Sequence, residues 1–282
     1  MGLFTSISAA VRTRHGRFSG TSARPRIVIN QLGVDRLNNE MLSVGTVGSV
    51  RRGESLYYYQ PLPVDERGDL RDDRLAPDEL YVRFSTTSAD MWEPELAIVW
   101  GSSKTLGTVP LALETDAKYA LSSNPSEGVI SAPLQRVYAG TDDTLIRRLL
   151  LVVVTYDAPY AGTDDPISLR VTTKQAKVAE YIISDTPQTD LEIDSANIYE
   201  IPVDAPFRRS ELRESEAAEI KLTIHGSDKW VPKKIFLFGL DQPTERPEMV
   251  VPLVRVYDPG PLSADPTEGV PSLTLPVESN VF

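Results

Sequence analysis

The sequence predicts an all-β protein: two tandem β-sandwiches of jelly-roll type from an internal duplication, behind a short N-terminal amphipathic arm. Three observations predict it. The phrase "ADMWEPELAIVWG" (89–101) returns as "SDKWVPKKIFLFG" (227–239). The flanks of the two phrases match as well. Short alternating apolar runs are separated throughout by turn residues, with 22 Pro and 17 Gly in 282 residues, as many short strands require.

Upstream of each phrase, "YYYQPLPVDERGDLRDDRLAPDELYVRF" (57–84) corresponds to "IYEIPVDAPFRRSELRESEAAEIKLTI" (198–224). Downstream, Pro110, Asp116, Pro125, Glu127 and Gly128 correspond to Pro252, Asp258, Pro266, Glu268 and Gly269. A period of about 140 residues is a whole small domain, not a solenoid repeat of 20–50. The expected division is 1–26 for the arm, 27–158 for the first sandwich and 159–282 for the second.

Taken in order, "GLFTSISAAVRTRHGRF" places Leu3, Phe4, Ile7 and Val11 on one helical face with Arg12 and Arg14 off it, so a short basic amphipathic helix is expected. Arg17 extends its charge, and "SGTSARPR" reads as a hinge. "RLNNEML" (36–42) and "RRSELRESEAAE" (208–219) read as short helices, the second a solvated charged face. In "DELYVRFST", Leu80, Val82 and Phe84 alternate with Tyr81 and Arg83; "EIKLTIHG" does the same with Ile220, Leu222 and Ile224. "LIRRLLLVVVTYD" is a long buried strand, too short to cross a membrane.

The repeated phrase has a structural reading. Pro94 and Pro232 start strands, where a missing N–H does no harm. Trp92 and Trp230 cover a core, Asp90 and Asp228 accept backbone N–H groups in the preceding turn, and a Gly ends each strand. The functional reading exposes both indoles as a platform for sugar, lipid or protein; ring burial decides between them. An alternating strand, Asp-x-Trp and an Ile-x-Leu-x-Gly strand, over residues 79–101 and 219–239, resembles PLAT domains. That resemblance implies a small β-sandwich docking on lipid or protein surfaces, and no catalytic residue.

Net charge is −11 with a sequence pI near 4.8, which argues against nucleic-acid binding by the body. The first 26 residues hold five Arg, His15 and no acid. No secretory h-region or long apolar run is present, so a cytoplasmic or virion protein is expected. "MGLFTS" matches the myristoylation pattern at Gly2. Cys is absent, excluding disulfides and thiolate chemistry. The two His, His15 and His225, occupy no Gly-x-Ser-x-Gly or zinc-ligand context. "YAGTDD" occurs at 138–143 and 160–165, making Asp142, Asp143, Asp164 and Asp165 the calcium candidates against a plain turn reading. "SNPSEG" and "ADPTEG" place Glu127 and Glu268 in matched loops, where paired carboxylates would suit a hydrolase and turn chemistry suits the duplication.

The expectation is therefore a non-enzymatic structural or binding protein needing no cofactor, a subunit of a larger assembly such as a viral or phage-like shell. Leu3, Phe4, Ile7, Arg12, Arg14 and Arg17 are the expected contacts, for protein partners or for a membrane or other anionic surface. The alternatives are a PLAT-like pair docking on lipid or carbohydrate, and a carboxylate-based hydrolase.

Overall fold

A computed structural model describes residues 4–16, 20–21, 25–31, 39–42, 50–61, 80–104, 106–183, 191–213, 217–241 and 248–279. The chain divides into two compact units, Met1–Tyr138 and Ala139–Phe282. Among the described residues, no helix is long and apolar enough to cross a membrane.

Among the described residues the regular elements of unit 1 are all strands: β1 (Phe4–Thr13), β2 (Arg26–Gln31), β3 (Asn39–Leu42), β4 (Ser55–Pro61), β5 (Leu80–Ser85), β6 (Pro94–Ser103), β7 (Gly107–Glu114), β8 (Ser131–Pro133) and β9 (Gln135–Arg136). One sheet runs β4-β1-β6-β7-β9, the other β3-β2-β5-β8. Ile7, Ala9, Val11, Ala97, Val99 and Leu111 of the first close a single core with Ile27, Ile29, Val82 and Phe84 of the second. The period-2 pattern of a half-buried strand aims these residues inward.

A two-residue strand, β10 (Tyr138–Ala139), marks the division. Unit 2 follows with β11 (Leu145–Thr155), β12 (Ile167–Thr172), β13 (Lys177–Ile182), β14 (Ala196–Arg208), α1 (Arg209–Arg213), β15 (Glu219–Ile224), β16 (Pro232–Leu240), β17 (Met249–Tyr257) and β18 (Ser272–Leu275). Its sheets read β14-β11-β16-β17 and β13-β12-β15-β18. Each strand takes the place of the unit 1 strand numbered ten lower, and the second core joins both sheets in the same way.

Four expectations are corrected. Residues 4–13 are not an amphipathic helix but β1, paired with β4 on one side and β6 on the other. Ile7 and Val11 fit a helical face, yet Ile7, Ala9 and Val11 fit period 2 equally. Pairing to two neighbours then decides, because an isolated helix shorter than about 12–15 residues is marginal in water. With β1 inside unit 1, its counterpart β11 opens unit 2, so the division falls at 138/139 rather than 158/159. Residues 39–42, expected as helix, are β3 in antiparallel register with β2. Arg209, expected on a solvated face, has no exposed surface. It donates from Nη1 to the Pro252 carbonyl (3.0 Å) and from Nη2 to the Glu278 carbonyl (2.8 Å), with Asp142 at 3.1 Å from Nε. The helix is real but five residues long, and the Glu211 carboxylate caps it by accepting the Arg208 N–H (2.8 Å).

The repeated phrase is explained atom by atom. Trp92 and Trp230 are fully buried. Trp92 Nε1 donates to Thr13 Oγ1 (3.0 Å) and Trp230 Nε1 to Thr155 Oγ1 (3.1 Å). Pro94 and Pro232 open β6 and β16. A Cβ at Gly101 would lie 2.6 Å from the Phe4 ring, and one at Gly239 2.6 Å from Ile146, so a large side chain on the neighbouring strand requires each glycine. Each buried N–H has one hydroxyl partner, and losing it leaves the donor unsatisfied. Thr13→Val and Thr155→Val should each lower stability by about 1–3 kcal/mol, read from urea unfolding.

Candidate functional site

At one end of the larger sheet of unit 2, four chain segments are stitched together. The Tyr156 N–H donates to the Val231 carbonyl (3.0 Å), Asp194 to Tyr156 (3.2 Å), Thr155 to Ser195 (2.9 Å) and Asp258 to Lys233 (2.9 Å). The loop 156–163 lies against 191–193, because Gly162 approaches the Leu191 carbonyl so closely that a Cβ would sit 2.9 Å from it. From this base Tyr160 projects with 82% of its surface exposed, the highest value for a large hydrophobic side chain among the described residues. Ile193 is 46% exposed in the neighbouring loop.

The backbone holding these residues is strained. Tyr160, Leu191 and Asp194 have φ of 64°, 61° and 57°, and Asp258 has 50°. The left-handed region is unfavourable for residues with a Cβ. Such outliers persist only where surrounding contacts fix them, and they gather at functional sites.

Charge is crowded here. Burial, then the negative charge of Asp157, raises the Asp194 carboxyl, and Lys233 offsets part of that. Lys233 Nζ stands 5.5 Å from the Tyr156 ring centre and Lys234 Nζ 5.9 Å from that of Tyr257. The Tyr156 hydroxyl donates to Asp258, and that bond raises its pKa. Burial, reinforced by Lys233, pulls the Lys234 amine down to about 8.

The matching end of unit 1 is built differently. Arg14, where unit 2 has Tyr156, reaches Asp116 (3.5 Å) and donates to the Ala117 carbonyl. Arg12 pairs with Glu95 (3.0 Å), and Lys118 with Asp116 (3.4 Å). The basic residues expected to reach partners are thus engaged within unit 1, while Phe4 and Ile7 are buried in its core. Leu3, Arg17 and Gly2 lie outside the described residues.

The repeated loops are turns. In the two Gly-Thr-Asp-Asp segments, Thr141 Oγ1 accepts the Asp143 N–H (3.3 Å) and Thr163 Oγ1 accepts that of Asp165 (3.0 Å). Asp142 faces Arg209 and Arg213, both at 3.1 Å. Asp165 Oδ2 accepts the Asp228 N–H (2.6 Å), and Asp228 Oδ2 accepts that of Asp164 (3.2 Å). The Asp228 carboxylate therefore bonds across to a neighbouring loop rather than within its own turn. On the matching side the Asp90 N–H donates to Ser88 Oγ (3.0 Å). Among the described residues, no three His, Asp or Glu side chains converge as a metal site.

Asn124 Oδ1 accepts from Ser126 N and Oγ (3.2 and 2.8 Å), and Asp265 Oδ1 from Thr267 N and Oγ1 (2.8 and 2.7 Å). Glu127 and Glu268 stand exposed on the outer side of these turns. Ser168 Oγ lies 2.8 Å from His225 Nε2, a pair made by adjacent strands and not signalled by sequence spacing. Ser168 sits within a regular strand, not on the sharp strand-to-helix turn that presents a nucleophile. Tyr160 was hidden inside a segment that reads as turn chemistry.

No family model matches the chain, and no curated protein matches it. Among solved structures it is similar to the alpha toxin from Clostridium absonum, with 17% identity and a TM-score of 0.37, over 48% of this chain and 32% of that one. The chain thus spans about a third of that protein's length, and a likeness of this degree carries no argument about function.

Two outcomes are expected from this geometry. Tyr160→Gly should be more stable than Tyr160→Ala by about 1 kcal/mol, since both lose the ring and only glycine accepts the left-handed backbone freely; thermal and urea unfolding compare them. A lysine depressed to about 8 from 10.5 binds fewer protons folded than unfolded between those values, so stability rises with pH through that window. Lys234→Met should be more stable than the parent at pH 7 and flatten that rise, as denaturation midpoints from pH 7 to 10.5 will show.

Proposed function

We propose that the chain is a non-enzymatic structural or binding protein, a subunit of a larger protein assembly, with the Tyr160–Ile193 end of unit 2 as its contact surface. The observation that carries this reading is Tyr160 itself: an aromatic ring 82% exposed on a left-handed backbone that four hydrogen-bonded segments support. Aromatic side chains are enriched at interface cores because they bury a large rigid area. What recurs in the two units supports the reading from the other side. The shared indole–threonine bonds and loop turns are packing devices within each unit. A contact through residues 4–13 does not enter it, because that segment is a strand within the sheet.

The PLAT-like alternative, docking on lipid or carbohydrate, loses Trp92 and Trp230 as anchors, since both are buried. Among the described residues its most exposed ring is also Tyr160. Light scattering on the full chain at physiological salt should give a mass above 31.1 kDa that falls in Tyr160→Ala. A constant monomer mass at all concentrations would sink the assembly reading. Tyr160-dependent binding to neutral glycan or phosphatidylcholine vesicles by that monomer would favour the alternative.

A further inference from the structure

Each unit lays the segment that follows its last short strand, β8 or β18, along the edge of the matching long strand, and the two do so with different chemistry. Leu134 and Leu275, both buried, align the two segments. In unit 1 the segment is β9 with Val137. Arg136 and Gln135 pair with Ala112 and Leu113 of β7, and the Val137 N–H donates to the Leu111 carbonyl (3.5 Å). Val137 is buried. In unit 2 the matching strap, residues 276–278, lies on β17. The Glu278 N–H donates to the carbonyl of Leu253 (2.7 Å), the counterpart of Leu111.

Two replacements make the second strap easier to lift. Pro276 stands where Gln135 pairs, and proline has no N–H to give a ladder. Glu278 stands where unit 1 buries Val137, so a charge replaces an apolar side chain. Its carboxylate lies 3.5 Å from Arg255, and its carbonyl accepts from Arg209 Nη2 (2.8 Å). Val277 adds apolar contact but is only partly buried. Burying ions costs desolvation that their attraction barely offsets, whereas such pairs fix register and serve as switches. The unit 1 strap is thus built on a ladder and apolar burial, and the unit 2 strap on a charged latch.

The latch selects its occupant. Arg209 is fully buried and spans the Pro252 carbonyl of β17 and the Glu278 carbonyl of the strap, while Arg255 of β17 receives the carboxylate. An identical strap from another copy makes every one of these bonds, so exchanging straps loses none of them.

We propose that the strap 276–278 is exchanged between copies of this chain, each copy laying its strap on β17 of the other. The exchange is reciprocal and closes a twofold pair. It uses the edge of β17 and leaves the ring of Tyr160 available for a further contact. This inference rests on the assembly reading, and the test separates their failures.

The chain has no Cys, so single cysteines report the exchange. Copies carrying Glu278→Cys and copies carrying Arg255→Cys are incubated together at high concentration and treated with a short bis-maleimide. A covalent heterodimer should form, about tenfold or more above that given by the same Glu278→Cys copy with one carrying Tyr81→Cys, a site exposed in unit 1. Ser279→Cys with Arg255→Cys should give the same product with the Glu278 carboxylate in place. The dilute double variant Arg255→Cys/Glu278→Cys should link within one chain, showing that the reagent spans the two sites, and circular dichroism checks the folding of each variant. If that double variant links internally and the parent associates by light scattering, yet neither pair exceeds the Tyr81→Cys control, strap exchange is overturned and the assembly reading stands. A parent monomeric at every concentration, with no heterodimer, overturns both.

Discussion

The rest of each unit depends on a single buried hydrogen bond, from the indole N–H of the repeated tryptophan to a threonine hydroxyl at the end of the central strand. A fully buried indole removes a large apolar area from water, but its N–H must find an acceptor or cost about 1–3 kcal/mol. Thr13 and Thr155 provide that acceptor where β1 and β11 run out. The bond therefore joins the start of β6 to the end of β1, and the start of β16 to the end of β11. The proline two residues after each tryptophan and the closing glycine follow from the same geometry. Proline fits a strand start, and glycine clears the Phe4 or Ile146 side chain across the sheet.

This constraint explains which parts of the fold were legible in sequence. Tryptophan, proline and glycine have few backbone and packing solutions, so their recurrence at constant spacing marked the same strand and turn twice. Alternation located β5 and β15 because one face of each is core. The first strand was not legible. Ile7 and Val11 satisfy helical spacing as well as period 2, and its counterpart LLLVVVT (149–155) is apolar where residues 7–13 read ISAAVRT. Only pairing with β4 and β6 distinguishes the two. Arg209 was missed for a related reason. A charged residue in a charged run looks solvated, and only the tertiary fold places two backbone carbonyls around its guanidinium.

The candidate site was less legible than the fold. Tyr160 sits in a Gly-Thr-Asp-Asp context whose turn bonds are real, so local chemistry accounted for the segment and left nothing to explain. Its left-handed backbone and its exposure come from residues about 30 positions away, where the Leu191 and Ile193 backbone crowds Gly162. The carboxylates told the opposite story. Glu127 and Glu268 were conspicuous in matched loops, yet each is the outer residue of a turn organised by Asn124 or Asp265.

Two ends built on one frame invite comparison, and the comparison bears on function. In unit 1 the cations at the end of the sheet are paired: Arg12 on Glu95, Arg14 on Asp116 and the Ala117 carbonyl, Lys118 also on Asp116. At the corresponding place unit 2 exchanges the Arg14–Asp116 ion pair for a neutral tyrosine hydroxyl on Asp258. Removing one arginine there leaves acidic groups beside exposed apolar surface, with Lys233 and Lys234 against them. Exposed ion pairs contribute little to stability, so the fold can lose one cheaply. The frame tolerates the change because its stability resides in the indole–threonine bond and the core beneath, not in the charges at its rim. Uncompensated charge at a rim acts on association, through steering and partner choice, far more than on folding. Unit 2 therefore carries an exposed aromatic end, whereas unit 1 keeps the cations of the matching end paired.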